Sequence, residues 1–118
     1  MIHTIKEILR KKDERKARLE ASLESLVEQL KNLGALKIVV FGSFARGDVD
    51  VNSDLDLFVL MPSSRTGKEW MNLIYENIDI KVGSDIIVFN EKEFNKKLAS
   101  SSFLHEIIMG KVVYEKTS

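Results

Sequence analysis

The sequence predicts an α/β (α+β) domain: a single mixed β-sheet packed by helices, with a long helix ahead of it. Three observations carry this. From His3 to about Leu33 good helix formers run without a Pro or Gly. Beyond them lie short apolar runs rich in β-branched residues, each bounded by turn residues. Helical patterns fall between those runs rather than after them, which favours one sheet covered by helices. At 118 residues, 44% hydrophobic and 31% charged, the chain is long enough to bury a core as one domain over 1–118.

Within the first element, residues 1–33, Leu19, Leu23, Leu26, Val27, Leu30 and Leu33 recur at helical spacing, and Gly34 stands as the stop. The first half differs. Ile2, Ile5 and Leu9 form a short stripe, followed by "RKKDERKAR" (10–18) with six cations against two anions. That run reads as a solvated helix face; the sharper alternative is a projecting end that packs on a partner. "ALKIVVFG" (35–42) reads as a buried strand and "SFARGDVDVNS" as a connector. "DLDLFVLM" (54–61) is a second strand that Pro62 ends. "RTGKEWMNLIYENI" (65–78) places Trp70, Met71, Ile74 and Ile78 on one helical face, as core packing. "SDIIVF" (84–89) is a third strand. "NEKEFNKKLA" (90–99) is a short helix capped by Asn90, with Glu91 and Glu93 in its first turn. After "SSS", the stretch 103–115 gives a helix stopped by Gly110 and a last short strand. The four residues from Glu115 are expected to fray.

Composition excludes several classes. Lys plus Arg equals Asp plus Glu at 18 each, so bulk electrostatic binding of nucleic acid is disfavoured. No cysteine is present, and two histidines, His3 and His105, make no zinc site. The start "MIHTIKEILRKKDERK" breaks into charge too early for a signal peptide, and the longest apolar run, Leu57 to Met61, cannot span a membrane. A soluble cytoplasmic protein is expected.

The chemistry gathers at two strand ends. Asp54 and Asp56 stand two apart at the start of a strand, which would point them to one face. Carboxylates that close repel unless a cation joins them, and Mg²⁺ takes one or two carboxylates together with phosphate oxygens. Gly42-Ser43, after the preceding strand, offers backbone N–H groups and a hydroxyl to an anion. Together they read as metal-assisted chemistry on a nucleoside triphosphate.

The stretch "GSFARGDVDVNSDLDLFVL" resembles the signature of the DNA polymerase β-like nucleotidyltransferase superfamily: G-S, then A-R-G, then S-D-x-D and apolar residues. Gly42, Ser43, Ala45-Arg46-Gly47 and Ser53-Asp54-Leu55-Asp56 carry it. Lacking a further substrate domain, the chain looks like the minimal nucleotidyltransferase (MNT) group, with the resemblance covering a catalytic core of 35–115. The resemblance implies the nucleotidyltransferase fold, two Mg²⁺ held by Asp54 and Asp56, and a third carboxylate on a later strand. Asp85 in "GSDIIVFNEKEF" fits that place better than Asp79 in "ENIDIK". Asp85 would complete the metal site and orient or deprotonate the attacking hydroxyl. Gly42 and Ser43 would hold the β/γ-phosphates of the substrate, ATP by family habit. Arg46 would either contact the triphosphate or pair with Asp48 or Asp50. Arg65, Lys68, His105, Tyr75 and Tyr114 read as surface, core or rim.

By the same resemblance, minimal members pair with a helical HEPN toxin and act as antitoxin by adenylylating one of its tyrosines. The alternative is a catalytically silent subunit that binds nucleotide or partner, with the N-terminal helix as a homo- or hetero-oligomer seam. Small-molecule nucleotidyl transfer is a weaker reading, because 118 residues leave little room for acceptor structure, and polymerisation is weaker still, given zero net charge and no thumb-like domain.

Overall fold

The computed structural model describes residues 4–80 and 82–117. The elements follow in the order α1 (Ile5–Leu33), β1 (Lys37–Phe41), α2 (Gly42–Ala45), β2 (Leu55–Met61), α3 (Gly67–Asn77), β3 (Ser84–Asn90), α4 (Glu91–Leu98), α5 (Ser102–Ile108) and β4 (Lys111–Glu115). The expected mixed sheet is there, with strand order β3-β2-β1-β4. β1 runs antiparallel to β2 and β4, while β2 and β3 are parallel with α3 as the crossover. This topology brings the C-terminal end of β1 and the N-terminal ends of β2, β3 and β4 to one end of the sheet.

Alternation along the strands divides the core into two layers. Ile38, Val40, Leu55, Leu57, Val59, Met61, Ile86 and Val88 face α1 and α3, where Leu19, Leu26, Leu30, Trp70 and Ile74 are buried against them. The other face presents Val39 and Phe58 to Leu104 and Ile107 of α5, with Phe94 and Leu98 of α4 beside them. Phe58 lies edge-on to Phe89 at 6.0 Å between ring centroids.

Local chemistry sets the helix ends. Thr4 caps α1 at Glu7 N, and Gly34, in the left-handed region at φ 117°, closes it with bonds to Leu30 O and Lys31 O. Ile2 and His3, expected near the start of α1, lie outside the described residues. Thr66 and Asn90 each form a full capping box, with Glu69 and Glu93. Glu93 Oε1 accepts from both Asn90 N (2.9 Å) and Gly67 N (3.0 Å), so one carboxylate joins the starts of α3 and α4. Trp70 is core, as its spacing implied, with its indole N–H donated to Pro62 O at 2.8 Å.

Several boundaries differ from expectation, four of them with a clear local cause. β1 ends at Phe41 because Gly42 turns into the short helix α2. β2 begins at Leu55, leaving Asp54 outside the strand. α3 begins at Gly67, two residues later than the pattern suggested, because Thr66 is its cap. Glu115 does not fray: it pairs with Lys37, and Lys116 N donates to Leu36 O at 2.8 Å, a partner far away in sequence.

The two halves of α1 are unlike. A helix of 29 residues is about 44 Å long, and the molecule measures 53 × 31 × 25 Å. From Leu19 onward α1 lies on the sheet, whereas Ile5, Ile8 and Leu9 are exposed. Truncating Leu26 should therefore cost about 2–5 kcal/mol, and truncating Leu9 no more than about 0.5 kcal/mol. Urea unfolding of Leu26→Ala and Leu9→Ala checks this; equal losses would mean the projecting half is packed in solution.

Candidate active site

The backbone brings Asp56 between two neighbours. In the register, Asp56 stands opposite Phe41 on β1 and beside Asp85 on β3. Adjacent strands lie about 4.8 Å apart and paired residues share a face, so Asp56 and Asp85 project together. Alternation with buried Leu55 and Leu57 puts Asp56 on the face that carries Phe58. Asp79 goes elsewhere. It follows α3 and its backbone N–H donates to Gln29 Oε1 of α1 at 3.0 Å. Of the two carboxylates weighed from the sequence, Asp85 is the one beside Asp56.

Gly42 packs directly against the Asp56 side chain. Its φ of 76° lies in the left-handed region, and a Cβ added there would collide with Asp56 Oδ2. Only a residue without a side chain lets the turn from β1 into α2 pass so close to a carboxylate. Ser43 follows in α2, and its carbonyl accepts from Asp48 N at 2.9 Å. Arg46 caps the end of α2 and is exposed. Among the described residues it forms no ion pair with Asp48 or Asp50; the pairs within 4.0 Å are Arg10–Glu14 and Arg15–Asp54. The Arg46 charge is nevertheless felt at Asp56, where it opposes the larger effects below.

Asp54 is placed differently from the simple expectation of two aspartates on one strand face. It precedes β2, and its Oδ1 lies 3.5 Å from Arg15 Nη2, a residue of α1. Arg15 also donates from Nε (2.9 Å) and Nη2 (2.7 Å) to the carbonyl of Ser53. Ser53 in turn closes the end of the connector: its hydroxyl accepts from Asp50 N at 2.7 Å and its own N–H donates to Asp50 O at 3.1 Å. Gly83 borders Asp54 from the other side, where a Cβ would come within 2.5 Å of Oδ1. Neither Arg15 nor Gly83 was singled out from the sequence. Arg15 is hidden in the run of six cations, and its partner is 38 positions away.

A groove of about 390 Å³ opens beside Gly42, bordered by Phe41, Ala45 and Arg46 and by Glu106, Met109 and Lys111 around the α5–β4 turn. Two cations, Arg46 and Lys111, and one carboxylate, Glu106, border this groove, which meets the site at Gly42. Lys111 is another residue that the sequence did not flag, since the antiparallel pairing of β4 with β1 brings it to this end.

The charges settle what this arrangement tolerates. Burial pushes the Asp56 carboxyl above its ordinary value, Asp85 and Asp54 push it further, and Arg46 partly opposes them. Among the described residues no three acidic, His or Cys side chains close on a common point as placed. The donor chemistry nevertheless fits a hard divalent cation. Mg²⁺ is commonly held by one or two carboxylates with water and phosphate oxygens completing the shell, and Asp56 and Asp85 supply two adjacent oxygen donors whose repulsion a cation would relieve.

A stability signature follows. Folded Asp56 holds its proton more tightly than the unfolded chain, whose value is near 3.8. Its favourable contribution is thus present below that value and is lost as pH rises through the raised folded value. At neutral pH the charge works against folding. Asp56→Asn should melt higher than the parent at pH 7, with the gap narrowing in acid where both are neutral. A calorimetric melting temperature at pH 7 no higher than the parent's would contradict this account of the site.

Comparison with known proteins agrees with the geometry. The family model for the nucleotidyltransferase domain matches residues 21–112, starting inside α1. A protein of Methanocaldococcus jannaschii named "Putative protein adenylyltransferase MJ0141" is 32% identical over 71 residues, 60% of this chain and 70% of that protein. A crystal structure from Sulfolobus solfataricus, titled as a "putative nucleotidyltransferase", superposes with a TM-score of 0.58 at 23% identity. That match covers 73% of this chain and 79% of the other, and it supports the fold. With most of its length matched by the family model, the chain belongs to the nucleotidyltransferase domain family.

Proposed function

We propose that the protein is a Mg²⁺-dependent nucleotidyltransferase that transfers AMP from ATP to a hydroxyl of a protein acceptor. The observation that supports this best is Asp56 in register with Asp85 and packed against Gly42, within a family whose domain is named for nucleotidyl transfer. In this reading the whole chain is one domain, with a helix up to residue 33 and a core over 35–115. Asp54, Asp56 and Asp85 would hold the divalent cations, two in the full site.

Each side chain then has a task. The Gly42-Ser43 turn lets the polyphosphate approach the carboxylates closely, and Ser43 offers its hydroxyl. Arg46 and Lys111 balance the negative charge of the triphosphate from the groove. Asp85 accepts the proton of the attacking hydroxyl or orients it. Bound metal would neutralise the charge that develops on the phosphoryl oxygens and on departing pyrophosphate. Catalysis on this arrangement is alignment and charge balance, with no covalent role for the protein.

The acceptor is read as a protein because the M. jannaschii relative carries that name, and the groove that opens beside Gly42 leaves room for a segment of another chain. The resemblance to minimal nucleotidyltransferases points further, to a tyrosine of a HEPN toxin in the cytoplasm, with this chain as antitoxin. A second reading draws on a specific observation. The projecting half of α1 exposes Ile5 and Leu9, which suits a catalytically silent subunit whose function is to bind a partner or a second copy.

Label transfer separates the two. With Mg²⁺, α-labelled ATP and host lysate, the parent chain should label a protein band, and Asp54→Ala and Asp56→Ala should each reduce labelling by roughly 100-fold or more. Labelling that survives both substitutions would overturn the roles of Asp54 and Asp56, and no labelling while nucleotide still binds would favour the silent subunit.

A further inference from the structure

Resting on the reading of Asp54, Asp56 and Asp85 as the metal-holding set, we propose that Arg15 is a positioning residue of that site. It clamps the Ser53 carbonyl and the Asp54 carboxylate so that Asp54 is presented next to Asp56 and Asp85.

Arg15 lies one helical turn before Leu19, the first fully buried residue of α1, and so extends the same seam toward the end of the sheet. Arg10, Lys11, Lys16 and Arg18 in the same run are exposed, while the Arg15 side chain retains only 18% of its accessibility. Its planar fork spends two donors on one carbonyl, at 2.9 and 2.7 Å. Such a pair fixes direction as well as distance, which a lysine ammonium cannot do.

What the clamp holds would otherwise be loose. Asp54 is outside β2 and its side chain is 57% exposed. Its own anchors are the bond from Leu55 N to Gly83 O, one residue on, and the turn closed by Ser53 one residue before. Arg15 adds the only link from a helix of the core to this segment among the described residues' side-chain hydrogen bonds.

Two effects of Arg15 on a bound cation oppose each other. Its positive charge near Asp54 competes with a cation, whereas its hold on Ser53 fixes where Asp54 stands. The contact to Asp54 is long, at 3.5 Å, and more than half of that side chain is in water, so screening weakens the charge term. The two bonds to the carbonyl are short and partly buried. Positioning therefore outweighs competition, and losing Arg15 should weaken cation binding.

The test uses the full-length chain with Mn²⁺ as the probe, with and without a non-hydrolysable ATP analogue. It compares the parent with Arg15→Ala, Arg15→Lys and the exposed control Arg18→Ala. Calorimetry should show Mn²⁺ bound about 10-fold more weakly by both Arg15 variants and unchanged by Arg18→Ala. Amide exchange should speed up about 10-fold at residues 53–55 in both Arg15 variants, with strand β1 still protected, which shows that the fold persists. Restoration of parent affinity by Lys, or tighter Mn²⁺ binding by Arg15→Ala, would overturn positioning in favour of simple charge. Parent-like affinity in both variants would overturn it outright while leaving the metal reading intact. A parent chain that binds no Mn²⁺ even with nucleotide would overturn the metal reading, and the role of Arg15 with it.

Discussion

The constraint on which the site depends is the close passage of the Gly42 backbone over the Asp56 carboxylate. No side chain can stand between them, and this is so because β1 and β2 are paired antiparallel with Phe41 opposite Asp56. The same strand, β2, is paired on its other edge in parallel, and that pairing brings Asp85 alongside. One strand therefore receives an anion-compatible turn from one neighbour and a second carboxylate from the other. A one-residue slip of either pairing would turn the face and separate the groups.

The rest of the fold makes such a slip costly. Leu55, Leu57, Val59 and Met61 are buried on one face of β2 and Phe58 on the other, all close to zero exposure. Moving the strand by one position would exchange these residues for Asp56 and Leu60 across the sheet. The hydrophobic load of a single strand thus maintains a like-charge contact that electrostatics alone would relax. Local destabilisation at neutral pH is the consequence, and on the function proposed above the unbalanced negative charge would serve to attract a cation.

Much of this was legible in the residues. Gly34, Asn90 and the periodicity of Leu19 to Leu33 act through neighbours three or four positions away, and sequence reports such contacts directly. The G-S and S-D-x-D pattern marked the two strand ends for the same reason. The strand order, by contrast, depends on pairings between distant segments, and so did everything that followed from it. The sequence context favours Asp85 over Asp79, but it is the register between β2 and β3 that puts Asp85 beside Asp56 and leaves Asp79 against α1. Glu115 read as a fraying end because its partner, Lys37, is at the other end of the core. Lys111 reached the groove by the same route.

Arg15 shows why the longest-range contacts were hidden. In composition it is one of six cations in a nine-residue run, and for exposed members such as Arg10, Lys11, Lys16 and Arg18 the solvated-face reading is right. What distinguishes Arg15 is its phase: it falls on the seam that Leu19, Leu26 and Leu30 define, continued by one turn. A cation on the apolar phase of a helix must find acceptors where the apolar surface ends. Here the sheet ends at the start of β2, where a turn carbonyl and an exposed carboxylate are available. The long helix is in this way both a wall of the core and an arm that reaches the chemistry. Its contact with Asp54 explains why two aspartates only two residues apart have different surroundings: one is held by the sheet, the other by a helix.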